Sequence, residues 1–251
     1  MRQPAPTILI TRPEGQHQYL LASCESLGFN VRHLPCLTIS PIDSIGEMQH
    51  KTRFADVILF TSRNAVVHAH KQLPLPWLNK AVHAIGSATA SSLAELNQAI
   101  EFDPEPPFNS ESFLQQLSSK PPQKILIVKG AGGRDLIASA LKSKGWEVDT
   151  VDVYRRSLPV LSAEDISSAF RKPSPQIISI TSNETLENLV TLVKDHWKLV
   201  RDLPLVVNSQ RCQDLANAMG FTQQALVASS AGDIGQIELF QQWLESQKTH
   251  D

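Results

Sequence analysis

The sequence predicts an α/β protein with two similar doubly wound parallel-sheet domains, because one strand–helix unit occurs in it twice. ILITRP…SLGFNV, residues 8–31, aligns without a gap with ILIVKG…SKGWEV, residues 125–148. Each copy is typical of a strand, a helix, a glycine that ends the helix and a second strand. A unit that recurs in this way indicates an internal duplication.

Two further pairs of segments extend the duplication. VILFTSRNAV at residues 57–66 parallels IISITSNETL at 177–186, and VHAIGSATASSLAEL at 82–96 is more loosely similar to LVVNSQRCQDLANAM at 205–219. Short apolar runs alternate with helical patterns, which predicts parallel sheets covered by helices on both faces. The repeat leaves open whether consecutive copies stay together or exchange their first units.

Composition and cysteine spacing favour a globular protein and argue against several classes of binding protein. The 251 residues suit one large or two ordinary domains, and 41% hydrophobic and 19% charged residues are typical of a globular protein with a real core. A net charge of −2 argues against a surface that binds nucleic acid as a whole. The three cysteines form no C-x-x-C, and no Cys/His cluster has zinc spacing. With no signal peptide and no apolar stretch long enough to span a membrane, we expect a cytoplasmic protein without a membrane partner.

A glycine-rich turn, GAGGRD at residues 130–135, follows the first strand of the second copy, where nucleotide-binding units hold phosphate. It lacks the G-x-G-x-x-G pattern, because Asp135 stands at the third glycine position and would repel a pyrophosphate. The backbone N–H groups of such a turn, flanked here by Lys129 and Arg134, suit a carboxylate. The other interpretation, that the glycines simply allow a tight turn, stays open.

Two cations occupy equivalent positions in the two copies. Arg12 aligns with Lys129, and both come directly after a strand, at the sheet edge where open α/β sheets bind ligands. One such cation would be weak evidence, but a matched pair favours an anionic ligand.

Hydroxyl groups also follow strands at equivalent positions. Thr-Ser pairs at residues 61–62 and 181–182 end a strand and open a helix, and the segments GSAT at 86–89 and NSQR at 208–211 take the third such position. These hydroxyls are either ordinary helix N-caps or contacts to a ligand at the end of the sheet.

The segment TVDVYRRS has the alternation of a strand. Val151 and Val153 lie on one predicted face, and Asp152, Tyr154 and Arg156 lie on the other. Tyr154 is neutral near pH 7 and can donate a hydrogen bond or a proton. The alternative is an exposed strand tyrosine between the domains.

For the two histidines that follow the strand at residues 57–60, the sequence predicts neither a catalytic nor a metal-binding role. His68 and His70 lie two residues apart on a helix and therefore point away from each other. We expect a solvated helix face there.

In their order, the segments ILITRP, LFTSRNAV, AIGSATA, ILIVKGAGGRDLI and VYRR resemble the bacterial uroporphyrinogen-III synthase family. The resemblance implies that the first strand–helix unit packs with the C-terminal part of the chain. One domain would then comprise residues 1–37 with 157–251, and the other residues 38–156. It also implies a two-stranded connector between the domains, with the active site in the cleft between them.

The implied reaction converts hydroxymethylbilane, a linear tetrapyrrole, to uroporphyrinogen III. The substrate loses its terminal hydroxyl as water, and the chain closes through a spiro intermediate with ring D inverted, so the enzyme is a cyclising lyase. No metal and no cofactor is implied. Tyr154 would be the catalytic residue that assists departure of the hydroxyl. Residues implied to bind the substrate are Arg12, Thr61, Ser62, Ser87, Thr89, Lys129, Gly130, Gly132, Arg156, Ser182, Asn183, Ser209 and Arg211.

The sequence departs from the family in one turn of the second copy. The family often has a glycine and a threonine where this chain has Asn208, Gln210 and Arg211, which puts ligand contacts on that side in doubt. Expected partners are the linear tetrapyrrole and, transiently, hydroxymethylbilane synthase, and we expect a monomer. The competing interpretations are a cytoplasmic two-lobed small-molecule sensor without catalysis and a nucleotide-dependent α/β enzyme.

Overall fold

The computed structural model describes residues 5–77, 80–101, 103–104, 110–133, 135–230 and 232–248. It divides into two compact units. The first unit comprises Met1–Thr38 with Ser157–Asp251, and the second comprises Ile39–Arg156. Each unit has one five-stranded sheet, which confirms the predicted α/β class.

The described residues form the following elements. The strands are β1 (Thr7–Ile10), β2 (Asn30–His33), β3 (Thr38–Pro41), β4 (Val57–Phe60), β5 (Ala81–Ala84), β6 (Lys124–Gly130), β7 (Glu147–Ser157), β8 (Ile177–Ile180), β9 (Leu205–Val207) and β10 (Leu226–Val227). The helices are α1 (Gln18–Ser26), α2 (Ile45–Phe54), α3 (Arg63–Gln72), α4 (Ser87–Ala94), α5 (Ser110–Gln116), α6 (Leu136–Ser143), α7 (Ala163–Ala169), α8 (Asn183–Leu192), α9 (Trp197–Val200), α10 (Gln210–Ala218) and α11 (Asp233–Lys248). Among them, none combines the length and apolar character that a bilayer-spanning helix requires.

The first unit has the strand order β10-β9-β8-β1-β2, and all of its strand pairs are parallel. Side chains of β1 alternate between two apolar layers because successive residues of a strand point to opposite faces. Leu9 packs in the layer that contains α8 and α10, whereas Ile8 and Ile10 pack in the layer that contains α1 and α11. The continuous apolar run of β1 is therefore buried on both faces, as parallel sheets require.

The second unit has the strand order β3-β7-β6-β4-β5, with parallel pairing from β7 to β5. Leu126 and Val128 of β6 pack in the layer that contains α2, α3 and α4. Ile125 and Ile127 pack in the opposite layer, with α5 and α6. Helices thus cover both faces of this sheet as well.

The pairing of β1 and β6 resolves the alternative that the repeat left open. β1 belongs to the first copy of the duplicated unit but pairs with β8 of the second copy. β6 belongs to the second copy but pairs with β4 of the first. The two copies have therefore exchanged their first strands.

Two glycines that the repeat aligned end helices as predicted. Gly28 follows α1 with φ of +96°, and Gly145 follows α6 with φ of +85°. A left-handed residue after a helix closes its last carbonyl groups, and glycine adopts it without steric cost. In both places the chain then continues directly into the next parallel strand.

Candidate active site

A cavity of about 390 Å³ opens in the second unit. It lies at the carboxyl ends of β4 and β6 and beside the end of β7, where parallel sheets present their loops to ligands. Its lining consists of Thr61, Ser62, Ile85, Ser110, Glu111, Lys129, Gly130, Gly132, Gly133, Leu136, Ile137, Tyr154 and Arg156. The predicted site residues among these are Thr61, Ser62, Lys129, Gly130, Gly132, Tyr154 and Arg156.

Tyr154 is buried, with only 3% of the residue exposed, and it shares an apolar cluster with Val151 and Val153. The alternation of the sequence predicted it on the opposite face, and that expectation, like the alternative of an exposed tyrosine, is wrong. The cause is a bulge: Lys129 pairs with Asp152, but the next residue, Gly130, pairs with Tyr154. An extra residue in one strand resets the alternation and re-aims the side chain that follows.

The Tyr154 ring lies against the backbone of Gly130. A Cβ atom at position 130 would be 2.5 Å from the ring Cζ and 2.8 Å from the hydroxyl oxygen. The neighbouring Ala131 N–H donates to the Tyr154 carbonyl at 2.7 Å, which ties the two strand ends together. Gly130 therefore supplies the space that the ring occupies.

The Tyr154 hydroxyl is held by Ser62. The two oxygens are 3.1 Å apart and share a hydrogen bond. Ser62 is also the N-cap of α3, where its Oγ accepts the Ala65 N–H at 3.1 Å. The prediction that Ser62 is a helix N-cap is therefore confirmed, and the same Oγ also shares a hydrogen bond with the Tyr154 hydroxyl.

His68 is a neighbour of Tyr154 whose contact the sequence interpretation missed. Its ring stacks on Tyr154, with centroids 5.6 Å apart and planes 22° from parallel. Burial, and then the charge of Lys71, lower the pKa of His68 below its ordinary value. The prediction of a solvated helix face was wrong for this residue, because Tyr154 turns towards α3.

Lys129 is flanked by two carboxylates. Its Nζ is 3.3 Å from Asp135 Oδ1 and 3.9 Å from Asp152 Oδ1. Any anion that binds Lys129 competes with these groups. Gly132 and Gly133 of the adjoining turn have φ of +65° and +143°, which suits a tight turn, while Arg134 lies outside the described residues. Glu111 adds an acid to the lining that the sequence interpretation did not include.

Ser87 and Thr89 belong to the same unit but do not line this cavity. Ser87 is the exposed first residue of α4, which Gly86 caps. Thr89 is only 4% exposed. A ligand contact by either residue stays a prediction.

The remaining predicted residues lie in the first unit, at the carboxyl ends of its strands. Arg12 follows β1 and pairs with Asp233 at the start of α11. Ser182 caps α8 by accepting the Thr185 N–H at 3.1 Å, and Ser209 caps α10 by accepting the Cys212 N–H at 3.3 Å. The other predicted residues are Asn183, which is the first residue of α8, and Arg211, which is the second residue of α10.

The three cysteines offer no reactive thiolate. Burial raises the pKa of Cys24 to about 12 and that of Cys212 to about 11, and it raises the pKa of Cys36 as well. Buried thiols of this kind act as small apolar groups. Thiol catalysis is therefore not part of this site.

The chain matches the family model described as uroporphyrinogen-III synthase HemD over residues 19–232. Uroporphyrinogen-III synthase of Escherichia coli (strain K12) is 28% identical over 238 residues, which cover 90% of this chain and 96% of that protein. The enzyme of the same name from Salmonella typhimurium (strain LT2) is 29% identical over 241 residues, again 90% of this chain and 96% of that protein.

Solved structures give the same fold. A mutant uroporphyrinogen III synthase from the extremely thermophilic bacterium Thermus thermophilus superposes with a TM-score of 0.61 at 18% identity, over 96% of this chain and 100% of that one. The synthetase from Helicobacter pylori 26695 gives 0.62 at 14% identity, over 93% and 97%. At these identities the likeness shows the fold alone.

Proposed function

The chain belongs to the uroporphyrinogen-III synthase family, and from that premise we propose how its own residues hold and convert the linear tetrapyrrole. It is an enzyme, a cyclising lyase of porphyrin biosynthesis that closes hydroxymethylbilane with loss of water and inversion of ring D. The family match gives no support to a sensor without catalysis. The single observation that carries the proposal is the Tyr154 hydroxyl, which is held at a cavity by Ser62.

Tyr154 assists departure of the substrate hydroxyl. Loss of that hydroxyl as water leaves an azafulvene cation, so a donor near the leaving oxygen lowers the barrier. The phenol donates a hydrogen bond or a proton to this oxygen. In this role Ser62 donates its proton to the phenol oxygen and leaves the phenol O–H for the substrate, and the packing against Gly130 and His68 fixes the ring. A group held in this way loses little entropy when the substrate arrives.

The substrate carboxylates bind at the strand ends of each unit. In the second unit, Lys129, Arg156 and the N–H groups of the turn that begins at Gly130 take acetate or propionate groups. In the first unit, Arg12 and the amino ends of α8 and α10 do the same, because helix amino ends attract anions. Thr61, Ser87, Thr89 and Gly132 contribute to these contacts in the second unit. In the first unit the contributors are Ser182, Asn183, Ser209 and Arg211.

We further propose that the chain works as a monomer in the cytoplasm and receives its substrate by transient contact with hydroxymethylbilane synthase. The duplication supports a monomer, since one chain already supplies two ligand-binding sheet edges. The instability of the linear tetrapyrrole, which closes spontaneously to the type I isomer, supports a direct transfer.

The test is a coupled assay in which porphobilinogen and hydroxymethylbilane synthase generate the substrate and the oxidised products are separated by isomer. The parent chain yields mainly type III uroporphyrin. Tyr154→Phe keeps the ring but lowers type III turnover by about a hundredfold, within the usual contribution of a general acid. Tyr19→Phe is the matched control, because Tyr19 is 61% exposed on α1. Full type III turnover by Tyr154→Phe would refute its role.

A further inference from the structure

Two histidines and a glutamate meet at one edge of the first unit. Glu14 and His17 follow β1, and His33 is the last residue of β2. Because β1 and β2 are adjacent and parallel, their carboxyl ends lie side by side. The fold therefore brings His33 to two groups that lie three residues apart in the sequence.

The ligand atoms of the three residues converge. His33 Nδ1 is 3.6 Å from Glu14 Oε2, and His17 Nδ1 is 3.9 Å from Glu14 Oε1. One ligand atom from each of the three residues lies within 4.8 Å of the other two. In a tetrahedral site with metal–ligand bonds of about 2.1 Å, the donors are about 3.4 Å apart. The observed distances of 3.6 and 3.9 Å are close to this value, and the two imidazole rings must tilt so that their in-plane lone pairs converge on one ion.

A hydrogen bond orients His33 so that its Nδ1 can bind a metal, and the Nδ1 of His17 is not engaged by a hydrogen bond within the described part of the chain. His33 Nε2 is 2.8 Å from the Arg12 carbonyl and donates to it, so Nδ1 carries the lone pair. Metal-binding histidines are oriented by bonds of this type. His17 Nδ1 is shielded from solvent and has no hydrogen-bond partner among the described residues. The rings stack with centroids 3.8 Å apart and planes 18° from parallel, which holds the histidines beside each other.

We propose that Glu14, His17 and His33 bind a late first-row divalent cation, of which Zn²⁺ is the probe. Two imidazole nitrogens and one carboxylate are a donor set that such cations prefer, and three protein ligands leave a further position for water or an anion. The carboxylate can adjust to the cation because the Glu14 side chain is 76% exposed. The site shares no residue with the described lining of the cavity beside Tyr154, and it does not rest on the proposed function.

The experiment titrates the full, tag-free chain with Zn²⁺ by isothermal titration calorimetry and measures bound metal after equilibrium dialysis. We expect one Zn²⁺ per chain. Glu14→Gln, His17→Asn and His33→Asn each weaken binding by about tenfold or more, since even loss of an outer partner of a metal ligand costs about that much. His50→Asn is the matched control, because His50 is an exposed histidine on α2 of the other unit.

A second readout separates this site from adventitious binding to scattered histidines. Co²⁺ bound by the parent chain gives visible absorption bands that Glu14→Gln and His17→Asn lose and His50→Asn keeps. Circular dichroism confirms folding, and Glu14→Gln changes only an exposed side chain. No bound Zn²⁺ in the parent, or affinity unchanged in Glu14→Gln and His17→Asn, would overturn the proposal.

Discussion

The ring of Tyr154 occupies the space directly above Gly130, where any side chain would collide with it. The β-bulge that pairs these two residues also ends the regular register of β6 and β7. One backbone irregularity therefore turns the tyrosine into the core, where it lines the cavity and its hydroxyl bonds Ser62. This arrangement assigns Gly130 a steric role in placing Tyr154.

Gly130→Ala is expected to displace the Tyr154 ring and lower type III turnover by about a hundredfold, because a misplacement of about 1 Å can cost that much. The measurement is the coupled isomer assay on the purified variant. Gly46→Ala is the control, since Gly46 lies in α2 and a methyl group added there would meet open space. Full activity in Gly130→Ala would show that the ring position does not matter for turnover.

Ser62→Ala is expected to have two separable effects. Loss of the α3 cap lowers the free energy of unfolding by about 1 kcal/mol, and loss of the bond to Tyr154 lowers turnover. Ser162→Ala is a matched control, because Ser162 caps α7, in the other unit, and accepts the Asp165 N–H. Denaturant unfolding and the isomer assay are run on both variants. Equal turnover in the two would remove Ser62 from the site.

The pattern of neighbouring residues predicted the strands and helices, whereas contacts between distant residues determine how the site is arranged. The apolar runs of β1 and β6 identify buried strands, and the Thr-Ser pairs identify the caps at Ser62 and Ser182, because those signals involve near neighbours. The face of Tyr154 could not be predicted, since period-two alternation holds only where the register is regular.

Contacts between distant residues explain the other differences. His68 contacts a tyrosine of another strand, so its helix alone gives no sign of burial. Glu14 and His17 are joined by His33 only after β1 and β2 pair, and for this reason metal-ligand spacing does not show in the sequence. The family resemblance implied the catalytic role of Tyr154 but neither its contact with His68 nor the cluster of Glu14, His17 and His33.

Lys129→Ala is expected to raise the KM for the linear tetrapyrrole most strongly at low salt, because the attraction between the cation and a substrate carboxylate is screened as ionic strength rises. Asp135→Asn is expected to lower KM at low salt, since it removes a competitor 3.3 Å from Lys129 Nζ. Lys142→Ala, which changes an exposed lysine at the end of α6, serves as the control. A KM for Lys129→Ala that equals the parent value at low salt would contradict the contact.

Acid is expected to destabilise the second unit through His83. Burial lowers the pKa of His83 to about 4, although Glu101, 3.2 Å away, opposes the shift. In the unfolded chain His83 takes up a proton near pH 6.5, whereas in the folded chain it stays neutral down to about pH 4. The free energy of unfolding is therefore unaffected by His83 above about pH 6.5 and falls as the pH drops towards 4. Protonation of His83 lowers the free energy of unfolding by about 3 kcal/mol over this range, because each unit of pKa shift corresponds to about 1.4 kcal/mol. His83→Gln cannot titrate, and denaturant unfolding at pH 7 and pH 4.5 should show a smaller acid-induced loss than in the parent or in the exposed control His50→Gln. An equal loss in all three proteins would place the acid sensitivity elsewhere.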